Sequence, residues 1–275
     1  MAEIKFVDRS SNINNILKEY ARNVTSQKGQ DGILEKTFEI IGENNYSPWC
    51  VEFGAWDGKH LSNTYNLIVN KGWSSVQIEG MEKKFLELSK NYAPYSNVYT
   101  IKTLVGFEED NNLDSVLSTT PMPKEFGFLS IDVDGCDYHI WQSLNNYRPT
   151  VVLIETNHTV PNDVIFIQDQ DMTINQGSSL LAFIELGKQK GYELIATIGQ
   201  DALFVVKEVY SKFNIPDNNI NKMKRDSGTR IWQTYDGTIY TSNFSRLGWK
   251  RRDIEHEELQ VLPKSERFFG GRAIR

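Results

Sequence analysis

Acids crowd two short stretches of this 275-residue sequence. Asp132, Asp134 and Asp137 fall in one of them, and in the other Glu155 is followed by Asn157 and His158. Side chains of these types can take a proton from an attacking hydroxyl. They can also hold a hard divalent cation such as Mg²⁺, which orients that hydroxyl and lowers its pKa. Asp134, Glu155 and Asn157 are the oxygen donors of such a metal set. His158 is the first candidate for a general base, Asp137 the second and His139 the third. Plainer roles stand beside these: Asp134 capping a helix that starts near Gly135, Asp137 favoured in its first turn by the dipole, Asn157 holding a turn, and His158 exposed on a loop.

Upstream lies Val51-Glu52-Phe53-Gly54-Ala55-Trp56-Asp57-Gly58, an acid in an apolar run followed by two glycines around a tight turn. Gly54 has no β-carbon to keep a ligand from the backbone, and Gly58 permits unusual dihedrals before a helix. Val76-Gln77-Ile78-Glu79-Gly80 ends a second apolar run on a carboxylate placed to accept both hydroxyls of a ribose. The Glu-x-Gly-x-x-x-Gly spacing departs from the G-x-G-x-x-G order that docks a pyrophosphate on a helix N-terminus. A nucleoside cofactor without a pyrophosphate fits better than a dinucleotide, and an NAD-dependent oxidoreductase is kept as the alternative.

The elements that must carry these groups read as an α/β fold. Strands are expected at 50–53, 75–79, 98–102, 127–133 and 150–155, with helices near 59–71, 81–92, 136–146 and 178–190. Such alternation is the sequence form of a parallel sheet covered on both faces. Alternation along 127–133 puts Ser130, Asp132 and Asp134 on one face. Segments 193–198 and 202–206 flank Gly199-Gln200-Asp201 and read as a hairpin, so the last pair is antiparallel. Ile13, Ile16, Leu17 and Tyr20, and then Ile33, Leu34, Phe38 and Ile41, recur at helical spacing and predict two helices over 1–45. The domain reading is therefore N-terminal helices over 1–45, a core over 46–207, and an irregular, β-rich appendage over 208–275 with a hairpin at 231–240. The long acidic segment 161–177 reads as a loop covering substrate, helped by Trp232 and Tyr235.

In combination these motifs resemble the FkbM-type members of the class I S-adenosylmethionine (SAM)-dependent methyltransferases. The resemblance covers roughly 26–206. It is carried by Ser26-Gln27-x-Gly29-Gln30-Asp31-Gly32, the Val51–Gly58 turn, Gln77-Ile78-Glu79-Gly80, Leu129-Ser130-Ile131-Asp132-Val133-Asp134-Gly135-x-Asp137-Tyr138, and Ile154-Glu155-x-Asn157. It implies a Rossmann-like, seven-stranded, mostly parallel sheet with an antiparallel last strand. It also implies SAM as cofactor and methyl transfer to a hydroxyl oxygen in surface-glycan or natural-product biosynthesis. By position, Glu52, Gly54, Asp57 and Gly58 would frame the methionine moiety and Glu79 would hold the ribose. Leu104 and Val105 would line the adenine pocket, and Asp132 would lie near the cofactor's amino group. Gln27 and Asp31 would close the site or cap the following helix. Ser130 stands where many members have lysine, and Asp134 where glutamate is common. The expected acceptor is a small molecule, a sugar or nucleotide-linked sugar. A non-catalytic partner subunit with a SAM fold is the other alternative.

Composition narrows the partners. A net charge of −6 and a pI near 5.4 argue against a surface built to neutralise nucleic acid. The basic stretches Lys222, Lys224, Arg225 and Lys250, Arg251, Arg252 are solvated faces or local anion sites. Cys50 and Cys136 have neither disulfide-framework nor zinc-site spacing. No signal-like start or membrane-length apolar run is present, so a cytoplasmic, soluble protein is expected. The aromatic tail is a candidate homodimer surface.

Overall fold

The apolar runs pair into one sheet. The computed structural model describes residues 14–242, 246–247 and 250–267; Ile13, with which the first expected helix begins, lies outside them. The core elements in chain order are α1 (Gln30–Ile41), β1 (Trp49–Phe53), α2 (Tyr65–Lys71), β2 (Ser74–Glu79), α3 (Glu82–Tyr92) and β3 (Val98–Lys102). They continue through α4 (Leu113–Leu117), β4 (Glu125–Ile131), α5 (Asp137–Ser143), β5 (Arg148–Glu155), α6 (Leu180–Lys190), β6 (Tyr192–Ile198) and β7 (Asp201–Val206). The sheet order is β3-β2-β1-β4-β5-β7-β6. Strands β1 to β5 are parallel neighbours, and β7 runs antiparallel to both β5 and β6. This is a seven-stranded Rossmann-like arrangement with an antiparallel last strand. The order reverses between β1 and β4, so a crevice opens beyond their carboxyl ends.

Register assigns the faces. Cys50, Phe128, Val151 and Val205 are matched across β1, β4, β5 and β7. On that side Phe38 of α1 meets Trp73 at 4.7 Å and Phe128 at 6.4 Å between ring centroids. Leu129, Val152 and Phe204 share the opposite side, where Trp141 of α5 lies 5.2 Å from Phe204. Helices therefore cover both faces. Glu52 and Ser130, themselves matched, face α1.

Polar contacts move three expected boundaries. The helix expected over 59–71 begins only at Tyr65, because buried Glu52 accepts the Asn63 N–H at 2.8 Å and the hydroxyls of Ser62 and Thr64. A buried carboxylate needs such donors, so 54–64 stays a loop and His60 sits on it. Strand β4 stops at Ile131, leaving Asp132 and Asp134 off the ladder, so the expected shared face is not formed. Asp137 accepts the N–H groups of Val133 and Gly135 at 3.0 and 2.9 Å, and Asp134 is left-handed at φ 57°. It is Asp137, not Asp134, whose carboxylate holds the turn before α5. That helix ends at Ser143, where Asp114 takes the N–H groups of Asn145 and Asn146. The first expected N-terminal helix is, among the described residues, a short 3-10 turn, Ile16–Tyr20.

After β7 come α7 (Lys207–Tyr210), α8 (Ile220–Met223) and two small antiparallel pairs, β8 (Ile231–Gln233) with β9 (Ile239–Thr241) and β10 (Arg246–Leu247) with β11 (Arg252–Asp253). This segment returns to the loop after β5. The Thr229 N–H donates to the Thr159 carbonyl at 3.2 Å, and Arg230 pairs with Asp163 at 2.7 Å. No helix among the described residues is long and apolar enough to cross a membrane.

Candidate active site

The carboxyl ends of β1, β2 and β3 form one wall of the crevice. Gly54 has φ 66°, and a β-carbon there would lie 3.1 Å from the Asp132 carbonyl oxygen, so the turn is confined to glycine by both dihedral and space. Trp56 and Leu61 are also left-handed, at φ 54° and 61°, a conformation costing roughly 1–2 kcal/mol per non-glycine residue. Glu79 spans two turns: its Oε2 accepts the Trp56 N–H at 2.9 Å and its Oε1 the Met81 N–H at 2.7 Å. Asp57 accepts the N–H groups of Lys59 and His60 and so shapes the loop. Three large apolar side chains stand exposed where these strands end: Trp56 at 48%, Met81 at 66% and Leu104 at 71%. Val105 is buried, so of the expected adenine-lining pair only Leu104 faces outward.

These features suit SAM. The bare Gly54 backbone, the Glu79 carboxylate with free lone pairs and the uncovered apolar trio match a methionine, a ribose and an adenine in turn. Asp31 Oδ1 and Asn63 Oδ1 are buried acceptors without a donor, and an α-ammonium brings donors. Asn63 donates to Ser130 Oγ at 3.1 Å, which sets it over β1 and β4. Asp31 Oδ2 gathers the N–H groups of Val24, Thr25 and Ser26, while the Thr25 hydroxyl donates to the Ser62 carbonyl. The N-terminal loop is thereby fastened to the glycine turn. Glu52 spends its oxygens on Ser62, Asn63 and Thr64 and acts on the crevice through them.

The second wall is acidic. Asp132, Asp134 and Glu155 each offer an oxygen within 4.8 Å of the others. Asp132 is raised well above the usual carboxylate range by loss of hydration and then by the charge of Glu155. Glu155 is raised by burial and then by Asp137 and Asp134. Water reaches Asp132, but protein crowds it on the remaining sides. Acids that resist ionising through lost hydration and mutual repulsion offer oxygens of the kind a hard divalent cation takes. Asn157 is not in it: its Oδ1 accepts the N–H and hydroxyl of Thr159, and its Nδ2 donates to Gln176. The clustered oxygens are those of Asp132, Asp134 and Glu155, with Gln200 Nε2 donating to Glu155.

Beside the acids lies a cavity of about 550 Å³, an ordinary size for a small-molecule site. Asp134, Asp137, Glu155 and His158 line it. Loss of hydration, and then the charges of Lys224 and Lys28, hold His158 below its usual pKa, so its ring is neutral near pH 7 and able to accept a proton. Asp137 is buried and raised by that burial, and its oxygens are occupied by the turn. His139 is buried against Phe107 and Tyr138, its Nε2 hydrogen-bonded to the Gln168 carbonyl at 2.8 Å, and it does not line the cavity.

The segment 161–177 is tied down. Gln168 Oε1 accepts the N–H groups of Gln176 and Gly177, and its Nε2 donates to the Ile174 carbonyl and Cys136 Sγ. Of this segment Phe166 and 175–177 line the cavity. Trp232 and Tyr235 do not line it. Its further cover comes from Thr229, Arg246, Leu247, Lys250 and Ile254. Sequence reading missed Gln168, Gln200, Met81 and Arg246. Met81 alone left a trace, as a large apolar residue just past a strand end.

No family model matches the chain, and no curated protein matches it. Among solved structures it is similar to the N-terminal domain of EvdMO1, crystallised in the presence of SAH and D-fucose, at 12% identity over 70% of this chain and 94% of that one, with a TM-score of 0.43. It is also similar to a putative caffeoyl-CoA O-methyltransferase from Staphylococcus aureus, at 14% identity over 71% and 93% with a TM-score of 0.42. A third is the O-methyltransferase NcsB1 from neocarzinostatin biosynthesis, in complex with S-adenosyl-L-homocysteine (SAH) and 1,4-dihydroxy-2-naphthoic acid, at 12% over 64% and 52% with a TM-score of 0.40. The strand order and register above carry the fold by themselves.

Proposed function

We propose that this chain is a SAM-dependent O-methyltransferase acting on a hydroxyl of a small acceptor, a sugar or nucleotide-linked sugar. The observation that carries this reading is the meeting of two half-sites at the switch point of the sheet. The Gly54 turn, Glu79 and the exposed trio Trp56, Met81 and Leu104 lie on one side, and the acid cluster with His158 and its cavity on the other.

SAM, when bound, supplies an electrophilic methyl group. Glu79 would accept the ribose hydroxyls, Trp56, Met81 and Leu104 would cover the base, and Asp31 and Asn63 would accept from the ammonium. His158, neutral at pH 7, takes the acceptor's proton as the oxygen attacks. Asp132, Asp134 and Glu155 would hold Mg²⁺ or a similar ion, whose charge lowers the hydroxyl pKa. Gln200 fixes Glu155, and Asp137 fixes the turn that presents Asp134. Positioning of the hydroxyl against the methyl group supplies the remaining rate.

The test is calorimetric titration with SAH, followed by radiolabel transfer from SAM across a panel of free and nucleotide-linked sugars. SAH binding and label on at least one sugar are expected. Absence of SAH binding overturns the reading, and label appearing on non-sugar phenols alone overturns the acceptor class.

A further inference from the structure

The two basic stretches of the sequence have no part in the half-sites above, yet the fold draws members of both to one place. Lys224 donates a 3.4 Å hydrogen bond to the His158 carbonyl. Lys28, from the N-terminal loop, lies across Gly199 at the tip of the β6–β7 turn. The ammonium groups of both are near enough to His158 to act on its charge. Arg246 and Lys250 line the cavity that His158 also lines. Two cations thus line the cavity and two more stand beside its His158, in a chain whose net charge is −6.

They are not paired with the acids of that cavity. Among the described residues none of the four forms an ion pair with Asp134, Asp137 or Glu155. Arg246 has only a 3.6 Å contact with Asp253 and a 3.3 Å bond to the Arg251 carbonyl. The lining is also partly apolar, with Phe166, Leu247 and Ile254 in it. Asp226 acts on Lys224, Asp201 on Lys28 and Asp253 on Arg246, but among the described residues only the last is within ion-pair distance, so an anion placed among the four is attracted by all. A neutral sugar would leave these cations unused.

We propose that Lys28, Lys224, Arg246 and Lys250 form an anion subsite that holds a phosphoryl or carboxylate group of the acceptor while its hydroxyl points to His158 and the acid cluster. This rests on reading the cavity as the acceptor site. It narrows the substrate class to acidic acceptors such as sugar phosphates, nucleotide-linked sugars or uronates. Bidentate contact from Arg246 and point charges from the lysines suit either anion. The small β10–β11 pair then acts as a specificity element, since it supplies two of the four cations.

The full chain is titrated at low salt with inorganic pyrophosphate and, separately, with glucuronate, each with SAH binding measured on the same preparation. One or both anions should bind, and in Arg246→Ala/Lys250→Ala that binding should weaken about tenfold. Lys188→Ala, on the far side of the fold, should leave it unchanged. Lys224→Met, checked by thermal melting, gives a second variant away from the small pair. Pyrophosphate alone identifies a phosphoryl source and glucuronate alone a carboxylate. Binding of neither, or equal binding by the double variant, overturns the subsite. SAH binding without anion binding defeats only this inference, and anion binding without SAH binding defeats only the methyltransferase reading.

Discussion

Gly80→Ala separates cofactor contact from folding. The backbone at Gly80 is outside the left-handed region, so alanine meets no dihedral penalty, and the unfolded chain loses freedom worth about 0.4–1 kcal/mol in favour of folding. The new β-carbon would overlap Cγ and Cδ2 of Leu104, while its nearest backbone contact, the Thr103 carbonyl oxygen, is at an ordinary 3.4 Å. Leu104 must move, and being 71% exposed it does so with little lost packing. If adenine covers that exposed share, the contact is worth roughly 1–2 kcal/mol, so SAH should bind about tenfold more weakly. Thermal melting should show a change of no more than about 2–4 °C, the equivalent of 1 kcal/mol in a chain of this size. Gly58→Ala is the contrast: φ is 77°, and its β-carbon would run into Leu88 and Tyr92, so stability itself should fall. Unchanged SAH affinity in a well-folded Gly80→Ala protein would refute the placement of the base against Leu104.

His158→Ala should lower kcat about 100-fold or more. Because the folded pKa lies below the usual value near 6.5, the acid limb of the wild-type profile should fall below that pH and vanish in the variant; a limb that persists excludes His158 as the base. Asp132 and Glu155 have folded pKa values raised above their unfolded ones. The native state therefore keeps protons that the unfolded state releases, and this contribution to stability falls as pH rises from the ordinary carboxylate range through the raised values. Melting followed from pH 5 to pH 8 should show that decline, smaller in Asp132→Asn, and Mg²⁺ should raise the melting temperature more at pH 8. Equal Mg²⁺ effects at both pH values would remove the metal set. Gln168→Ala, which deletes three hydrogen bonds to backbone and one to sulfur, should cost about 2–4 kcal/mol in urea unfolding; a loss below about 1 kcal/mol would mean that 161–177 holds its shape without it.

Every strand of the main sheet was legible as a short, largely apolar segment set between turns and helical stretches, and the hairpin at Gly199 gave away the antiparallel pair. What periodicity could not show was how buried carboxylates reshape loops. Glu52 collects Ser62, Asn63 and Thr64 and so unwinds what reads as the first turns of a helix. Asp137 curls the chain after Ile131, and that curl brings Asp132 beside Glu155 while turning the expected strand face away. Asn157 could not be told from a ligand by type, since the same oxygen serves a metal or a turn, and Thr159 two residues on decides the matter locally. The covering of the cavity by Arg246, Leu247 and Lys250 depends on a chain return of nearly a hundred residues, which no local pattern encodes. Gln168 was invisible for a similar reason: the backbone groups its side chain meets lie in irregular chain.

The antiparallel strand β7 divides the labour of the molecule. Because it runs against β5, it begins at the carboxyl edge, and its leading turn delivers Gln200 to Glu155 and Asp201 to Gln30 Nε2. On the proposed reading, the groups that would face the acceptor come from β4, β5 and the start of β7, and those that would hold the cofactor from the ends of β1, β2 and β3. A duplication, insertion or residue change at the β6–β7 tip or in the β10–β11 pair can retune which molecule is modified while leaving the nucleoside half intact. Relatives built on this plan are therefore expected to diverge fastest in those two hairpins, with substrate range drifting on a stationary cofactor site.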